Sequence, residues 1–150
     1  MNGLNYTCSK IFTDFPFAHR QHLHDGHCAL IHGHNWSFEF QFACRELDEN
    51  GFVVDFGKLK WMKQWLEKHF DHTLVLNEDD PHLKFLHQSF LKVATIVLVP
   101  NCGAEGLAHY TWNYLNIALM RETKRRVWIS TVTVHEDSKN KATYRNDVEY

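Results

Sequence analysis

From His32 to Cys44 the chain alternates strictly. His32, His34, Trp36, Phe38, Phe40 and Phe42 fall on one side, and Gly33, Asn35, Ser37, Glu39 and Gln41 on the other. Successive side chains of a strand point to opposite faces, so this stretch reads as a half-buried β-strand with one aromatic face. The same parity turns His32 and His34 to a common side, where both can reach one ion. Gly33, lacking a side chain, leaves room on the opposite face.

The rest of the chain supplies partners for that strand. Residues 4–18 read as a first strand carrying Phe12, Phe15 and Phe17, and residues 19–31 as a polar, His-rich loop. Asn50-Gly51 marks a turn ahead of the short apolar run Phe52 to Val54. Asp55 is placed to cap a helix in which Leu59, Met62, Leu66 and Phe70 keep helical spacing, with Trp61 and Trp65 on the next ridge. Residues 71–81 read as a loop holding a short apolar piece, 82–92 as a short helix and 93–99 as a short buried segment. A second long helix opens at Glu105, a strand spans 126–136, and a last short strand spans 142–144. The order strand, strand, helix, helix, strand, strand predicts an α+β fold: a four-stranded antiparallel sheet with two helices on one face. The whole chain, 1–150, forms a single domain. Its sheet edges need cover, and homo-oligomerisation is one way to provide it.

Composition narrows the partners. A hydrophobic fraction of 44% is enough for a core. A net charge of -2 gives no cationic field that would make nucleic acid or an anionic membrane the default partner. No run is long and apolar enough for a transmembrane helix, and the N-terminus does not read as a signal peptide. Cys8, Cys28, Cys44 and Cys102 form no CxxC, which fits free thiols in a reducing cytoplasm.

Two imidazoles are too few for a tight metal site. His19 is the best-placed third ligand, because an antiparallel neighbour can bring the end of the first strand opposite His32 or His34. His22, His24 and His27 compete, and spacing alone does not choose among them. Three neutral imidazoles suit Zn²⁺, at about 2.0–2.1 Å per bond, with the fourth position open. Cys28 is either a fourth ligand of a structural site or a free base or nucleophile of a catalytic one. Asp71-His72 pairs a carboxylate with an imidazole it can orient, although adjacent strand residues need not touch. Glu136 follows the alternation Trp128, Val132, Val134 and either meets water or receives a guanidine-like ligand edge.

Taken in order, FPFAHR, CALIHGHNW, VVDFGKLK, FDHTLVLN and VTVHE resemble the family of 6-pyruvoyltetrahydropterin synthase and bacterial 6-carboxytetrahydropterin synthase, from about Cys8 to Tyr144. The resemblance implies Zn²⁺ on His19, His32 and His34, and Cys28 as the catalytic thiol. It implies that Asp71 and His72 assist proton transfer and that Glu136 anchors a pterin ring. It also implies the tunnelling fold, in which subunits join their sheets into a barrel, usually as two stacked trimers, with active sites at subunit boundaries. The implied reaction converts 7,8-dihydroneopterin triphosphate to 6-carboxytetrahydropterin, acetaldehyde and triphosphate, a precursor step for deazapurines such as queuosine. The pyruvoyl-forming elimination is the alternative, and a non-enzymatic metal-binding oligomer the more distant one. Cys28 lies four residues before the first histidine of HGH, which is similar to the carboxypterin enzymes. One stretch departs from the family pattern: Asn101-Cys102-Gly103-Ala104-Glu105-Gly106 keeps a glutamate but lacks the family's threonine and asparagine. Lys10, Arg20 and Arg145 are the candidate cations for the triphosphate.

Overall fold

The aromatic face is buried as its alternation requires: Trp36, Phe38, Phe40 and Phe42 are all 0% exposed. In the computed structural model, residues 5–148 are described, and the expected start of the first strand at residue 4 lies outside them. Strands β1 (Tyr6–His19) and β2 (His32–Cys44) pair antiparallel, followed by helix α1 (Lys60–Phe70), β3 (Thr73–Asn77), α2 (Leu83–Phe90), β4 (Thr95–Val99), α3 (Ala104–Glu122), β5 (Val127–His135) and β6 (Lys141–Arg145). No described helix is long and apolar enough to cross a membrane.

The α+β class stands, and the four-stranded antiparallel sheet is corrected. Among the described residues there are six strands in the order β4-β3-β1-β2-β5-β6. β1, β2, β5 and β6 form the expected antiparallel part, while β3 and β4 extend it in parallel beyond β1. Residues 73–77 had the character of a loop with an apolar piece because all five are buried, so no alternation marks them as a strand. Among the described residues there are three α-helices rather than the two of the expected layer, the third being α2 within the short helix expected at 82–92. Residues of α1 (Met62, Leu66, Phe70) and α3 (Leu107, Ala108, Leu115, Leu119) join the aromatic core on one face. Leu74, Leu76 and Leu86 form a separate cluster on the other face, under α2.

Two bulges restore parity that the sequence alone breaks. Phe12 and Phe15 are three residues apart and would point to opposite faces of a regular strand. The β1–β2 register shifts between them, with Asp14 at φ 69°, so Phe12, Phe15, Phe17 and His19 are all buried. A second shift opposite Gln41/Phe42 lets Val127 and Ile129 join Val132 and Val134 in the core. Trp128 therefore leaves the expected alternation and packs with Ala43 and Met120. Asp55 does act as a cap, but of a single 3-10 turn at Phe56–Lys58, accepting from Gly57 N at 2.9 Å; α1 begins at Lys60.

Candidate metal centre

The antiparallel register pairs His19 directly with His32, and His34 lies two residues further along the same face of β2. Ser37 pairs with His135, so Glu136, the next residue, emerges beside the same end of β2. One ligand-type atom from each of His19, His32, His34 and Glu136 lies within 4.8 Å of all the others. Trp36 floors the group: the rings of His19 and His34 stand edge-on to it at 4.9 and 5.3 Å.

Backbone carbonyls orient two of the imidazoles. His19 Nδ1 lies 2.8 Å from the Cys102 carbonyl, and His32 Nδ1 lies 2.7 Å from the Leu30 carbonyl. A carbonyl only accepts, so each Nδ1 carries a proton, and in the neutral form each ring turns a bare Nε2 inward. Those two Nε2 atoms are 3.1 Å apart. Two lone pairs at that distance repel rather than bond, unless a cation lies between them. His34 Nε2 is buried without a hydrogen bond, 3.0 Å from Glu136 Oε1, which is also 3.5 Å from His19 Nε2. Ligand atoms held about 2.0–2.1 Å from a tetrahedral zinc stand roughly 3.3 Å apart, and these separations bracket that value. Burial pushes the His19 imidazole below its ordinary pKa, against the opposing pull of the Cys102 carbonyl, which favours the neutral form a metal needs. The donor set fits a divalent cation that takes imidazole and carboxylate.

The structure brings His19, not His22, His24 or His27, to the pair on β2. His22 instead contacts Asn77 and lies 3.7 Å from Asp79. Cys28 sits on a 3-10 turn, His27–Ala29, fastened by Gln21 N donating to the Cys28 carbonyl at 2.8 Å. It stands outside the four-atom cluster yet lines the same cavity of about 480 Å³, together with His19, His32, Glu105 and Glu136. Glu136 is thus placed among the inward imidazoles, where the resemblance implied a ring anchor.

Asp71 and His72 are bonded to each other, Nδ1 to Oδ1 at 2.6 Å, but they are not in this cavity. His72 leaves the end of α1 with φ 56° instead of entering a strand, so the two side chains meet. Asp71 lines a separate cavity beside Lys10 and Lys63, and His72 lines a cleft with Ala18 and Leu74.

Of the candidate triphosphate cations, Arg20 is committed elsewhere: its Nε lies 2.9 Å from the fully buried Asp80 carboxylate. Lys10 stands over the Phe12 and Phe56 rings in the Asp71 cavity. Arg145 ends β6. The cations that do line the metal cavity are Lys139 and Lys141, which sequence reasoning missed. They flank a turn pinned by Asp137, whose Oδ1 accepts from Lys139 N and Asn140 N; those bonds, Lys139's first, hold its carboxyl below the usual range. A turn residue followed by two lysines carries no pattern that ties it to histidines over a hundred residues earlier.

Comparison with known proteins agrees with this geometry. The family model described as 6-pyruvoyl tetrahydropterin synthase matches residues 7–147. The chain is 32% identical over 112 residues to the 6-carboxy-5,6,7,8-tetrahydropterin synthase of Rickettsia bellii, covering 74% of this chain and 81% of that one. It is likewise 32% identical over 101 residues to the protein of the same name from Rickettsia typhi, covering 67% and 73%. Among solved structures, an uncharacterized protein from Wolinella succinogenes shares the fold with a TM-score of 0.82 at 23% identity, over 96% of this chain and 99% of that one. The 6-pyruvoyl tetrahydropterin synthase of Plasmodium vivax does so with a TM-score of 0.67 at 20% identity, over 95% and 99%. With a matching model that spans nearly its full length, the chain belongs to the 6-pyruvoyl tetrahydropterin synthase family.

Proposed function

We propose that this protein is a zinc-dependent lyase that converts 7,8-dihydroneopterin triphosphate and water to 6-carboxytetrahydropterin, acetaldehyde and triphosphate. His19, His32 and His34 hold the cation, which supplies Lewis-acid polarisation of the substrate's side-chain oxygens. Cys28, unligated and in the same cavity, removes the proton from the adjacent side-chain carbon. Glu136 turns from the imidazoles to accept the amino-pyrimidine edge of the ring, fixing the reacting carbons. Lys139 and Lys141, at the cavity wall, carry the charge that the triphosphate requires. Asp71 and His72 serve the cavity of a neighbouring copy in a homo-oligomer, since in their own chain they open elsewhere. The product belongs to a cytoplasmic route toward deazapurines.

One observation carries this reading: bare Nε2 atoms converge beside a carboxylate while a free thiol lines the same cavity. The test is incubation of zinc-loaded protein with 7,8-dihydroneopterin triphosphate and mass analysis of the products. Carboxypterin with acetaldehyde is the expected outcome. A pyruvoyl product with all carbons retained would assign the sister reaction, and no conversion would end the enzymatic reading. Cys28→Ala should retain zinc and lose turnover; loss of zinc instead would make Cys28 a ligand.

A further inference from the structure

Asn77, the last residue of β3, is 8% exposed, and both ends of its carboxamide are used. Oδ1 accepts from the Cys102 backbone N–H at 2.7 Å, and Nδ2 donates to His22 Nδ1 at 3.2 Å. The other backbone group of Cys102 is the carbonyl that accepts from His19 Nδ1 at 2.8 Å. A single peptide segment thus connects the amide of Asn77 to the ring of His19. Its thiol is tied as well, donating to the Arg20 carbonyl at 3.1 Å.

The segment has little freedom on its far side. Asn101 Oδ1 accepts from Gly103 N at 2.9 Å, and a Cβ at Gly106 would come within 2.2 Å of the Asn101 carbonyl oxygen. The turn between β4 and α3 is therefore pressed against the first turn of that helix, with Asn77 gripping it from the sheet. The carbonyl that orients His19 is aimed by these contacts and not by a strand of its own.

We infer that Asn77 is a positioning residue of the metal centre: by holding Cys102 it locks His19 in the Nδ1–H tautomer and ring orientation that present Nε2 to the cation. This rests on the metal reading given above. Outer partners that orient a ligating histidine fix its tautomer and tune the site. Asn77 acts one peptide further out than such a partner.

Two variants separate positioning from plain structural support. Asn77→Leu keeps the branched shape at Cγ and removes both the acceptor for Cys102 N–H and the donor to His22. Asn77→Asp keeps the acceptor for Cys102 N–H and leaves His22 free to donate from Nδ1. Zinc affinity, measured by chelator competition, should fall about tenfold in Asn77→Leu and return to near wild type in Asn77→Asp, since loss of an outer-sphere partner costs 10–100-fold. The visible spectrum of the cobalt-substituted protein should shift in the first variant and recover in the second. Unchanged zinc affinity and an unchanged cobalt spectrum in Asn77→Leu would overturn the inference while leaving the metal site intact. A wild-type protein that binds neither zinc nor cobalt would overturn both. Should Asn77→Leu fail to fold, the ¹⁵N shifts of His19 in the zinc-loaded wild type decide: a protonated Nδ1 with zinc on Nε2 supports the relay, and zinc on Nδ1 overturns it.

Discussion

Trp36→Phe probes the join between core and metal centre. Trp36 is fully buried, stacks on Phe17 at 4.5 Å with a 6° interplanar angle, and donates from Nε1 to the Phe17 carbonyl at 3.2 Å. It also forms the wall against which His19 and His34 stand. Phenylalanine keeps the first ring but removes the indole N–H and the second ring. The lost hydrogen bond costs about 0.5–1.5 kcal/mol net. Shaving one ring from a closed core costs about 1–2 kcal/mol more, given that removing a whole aromatic side chain costs about 3–5. A total of about 1.5–3.5 kcal/mol follows. In a chain of this length, roughly 2–4 °C of Tm is lost per kcal/mol, so Tm should drop by about 3–14 °C. Urea unfolding of the metal-free protein measures the first effect. The second is local: two imidazoles lose their wall, and zinc affinity should fall by about tenfold, within the range for removing an outer-sphere support. A variant within about 0.5 kcal/mol of wild type, with unchanged zinc affinity, would show that the Trp36 wall is not what holds the His19 and His34 rings.

Chelation of zinc should lower Tm: a ligand present at about a thousand times its Kd stabilises by about 4.1 kcal/mol, worth roughly 8–16 °C here. An unchanged melting curve on chelation would argue against a metal bound in the folded state. Arg20→Met should destabilise by about 3–5 kcal/mol, because it strands the buried Asp80 carboxylate; denaturant unfolding checks this, and a stable variant that binds triphosphate less well would return Arg20 to the substrate-binding set. Burial pushes the Cys102 thiol up to about 11, so it stays protonated across the usual labelling range and should react only as pH rises toward that value. Iodoacetamide at pH 8 should therefore modify the more exposed Cys28 and spare Cys102, as peptide mass mapping would show. Mixing Cys28→Ala with His72→Ala, each inactive alone, should restore about a quarter of wild-type turnover after reassembly if neighbouring copies share a site, and none if one chain supplies both groups.

The sequence made the central strand and its two histidines legible because one face is buried and the other is not. That contrast writes a period of two into residues 32–44. The helix α1 was legible for the same reason at a different period, with Leu59, Met62, Leu66 and Phe70 all buried. Strand β3 was hidden because burial on both faces erases alternation. The bulges at Asp14 and opposite Gln41/Phe42 were hidden because an extra residue breaks the period that identifies a strand. Spacing left four histidines for the third ligand position, and the β1–β2 register, which spacing does not encode, puts His19 opposite His32. The carbonyls of Leu30 and Cys102 left no trace, since a backbone acceptor is the same whatever its side chain.

The sheet also divides the chemistry that the sequence placed together. His19 and Ala18 are neighbours on β1 and so face opposite sides. His19 turns to the metal cavity, while Ala18 lines the cleft that His72 occupies. His72 N donates to the Pro16 carbonyl at 2.8 Å, which fixes it beside a residue three positions before His19. Three strand residues span about 10 Å, and the wrong face adds the thickness of the sheet itself. No side-chain rotation carries His72 through a sheet floored by Trp36 and Phe17. Cys28 and His72 line different cavities of one copy of this fold. Under the proposed function, the Asp71–His72 pair, bonded at 2.6 Å, is a group built on one chain for a substrate held by another.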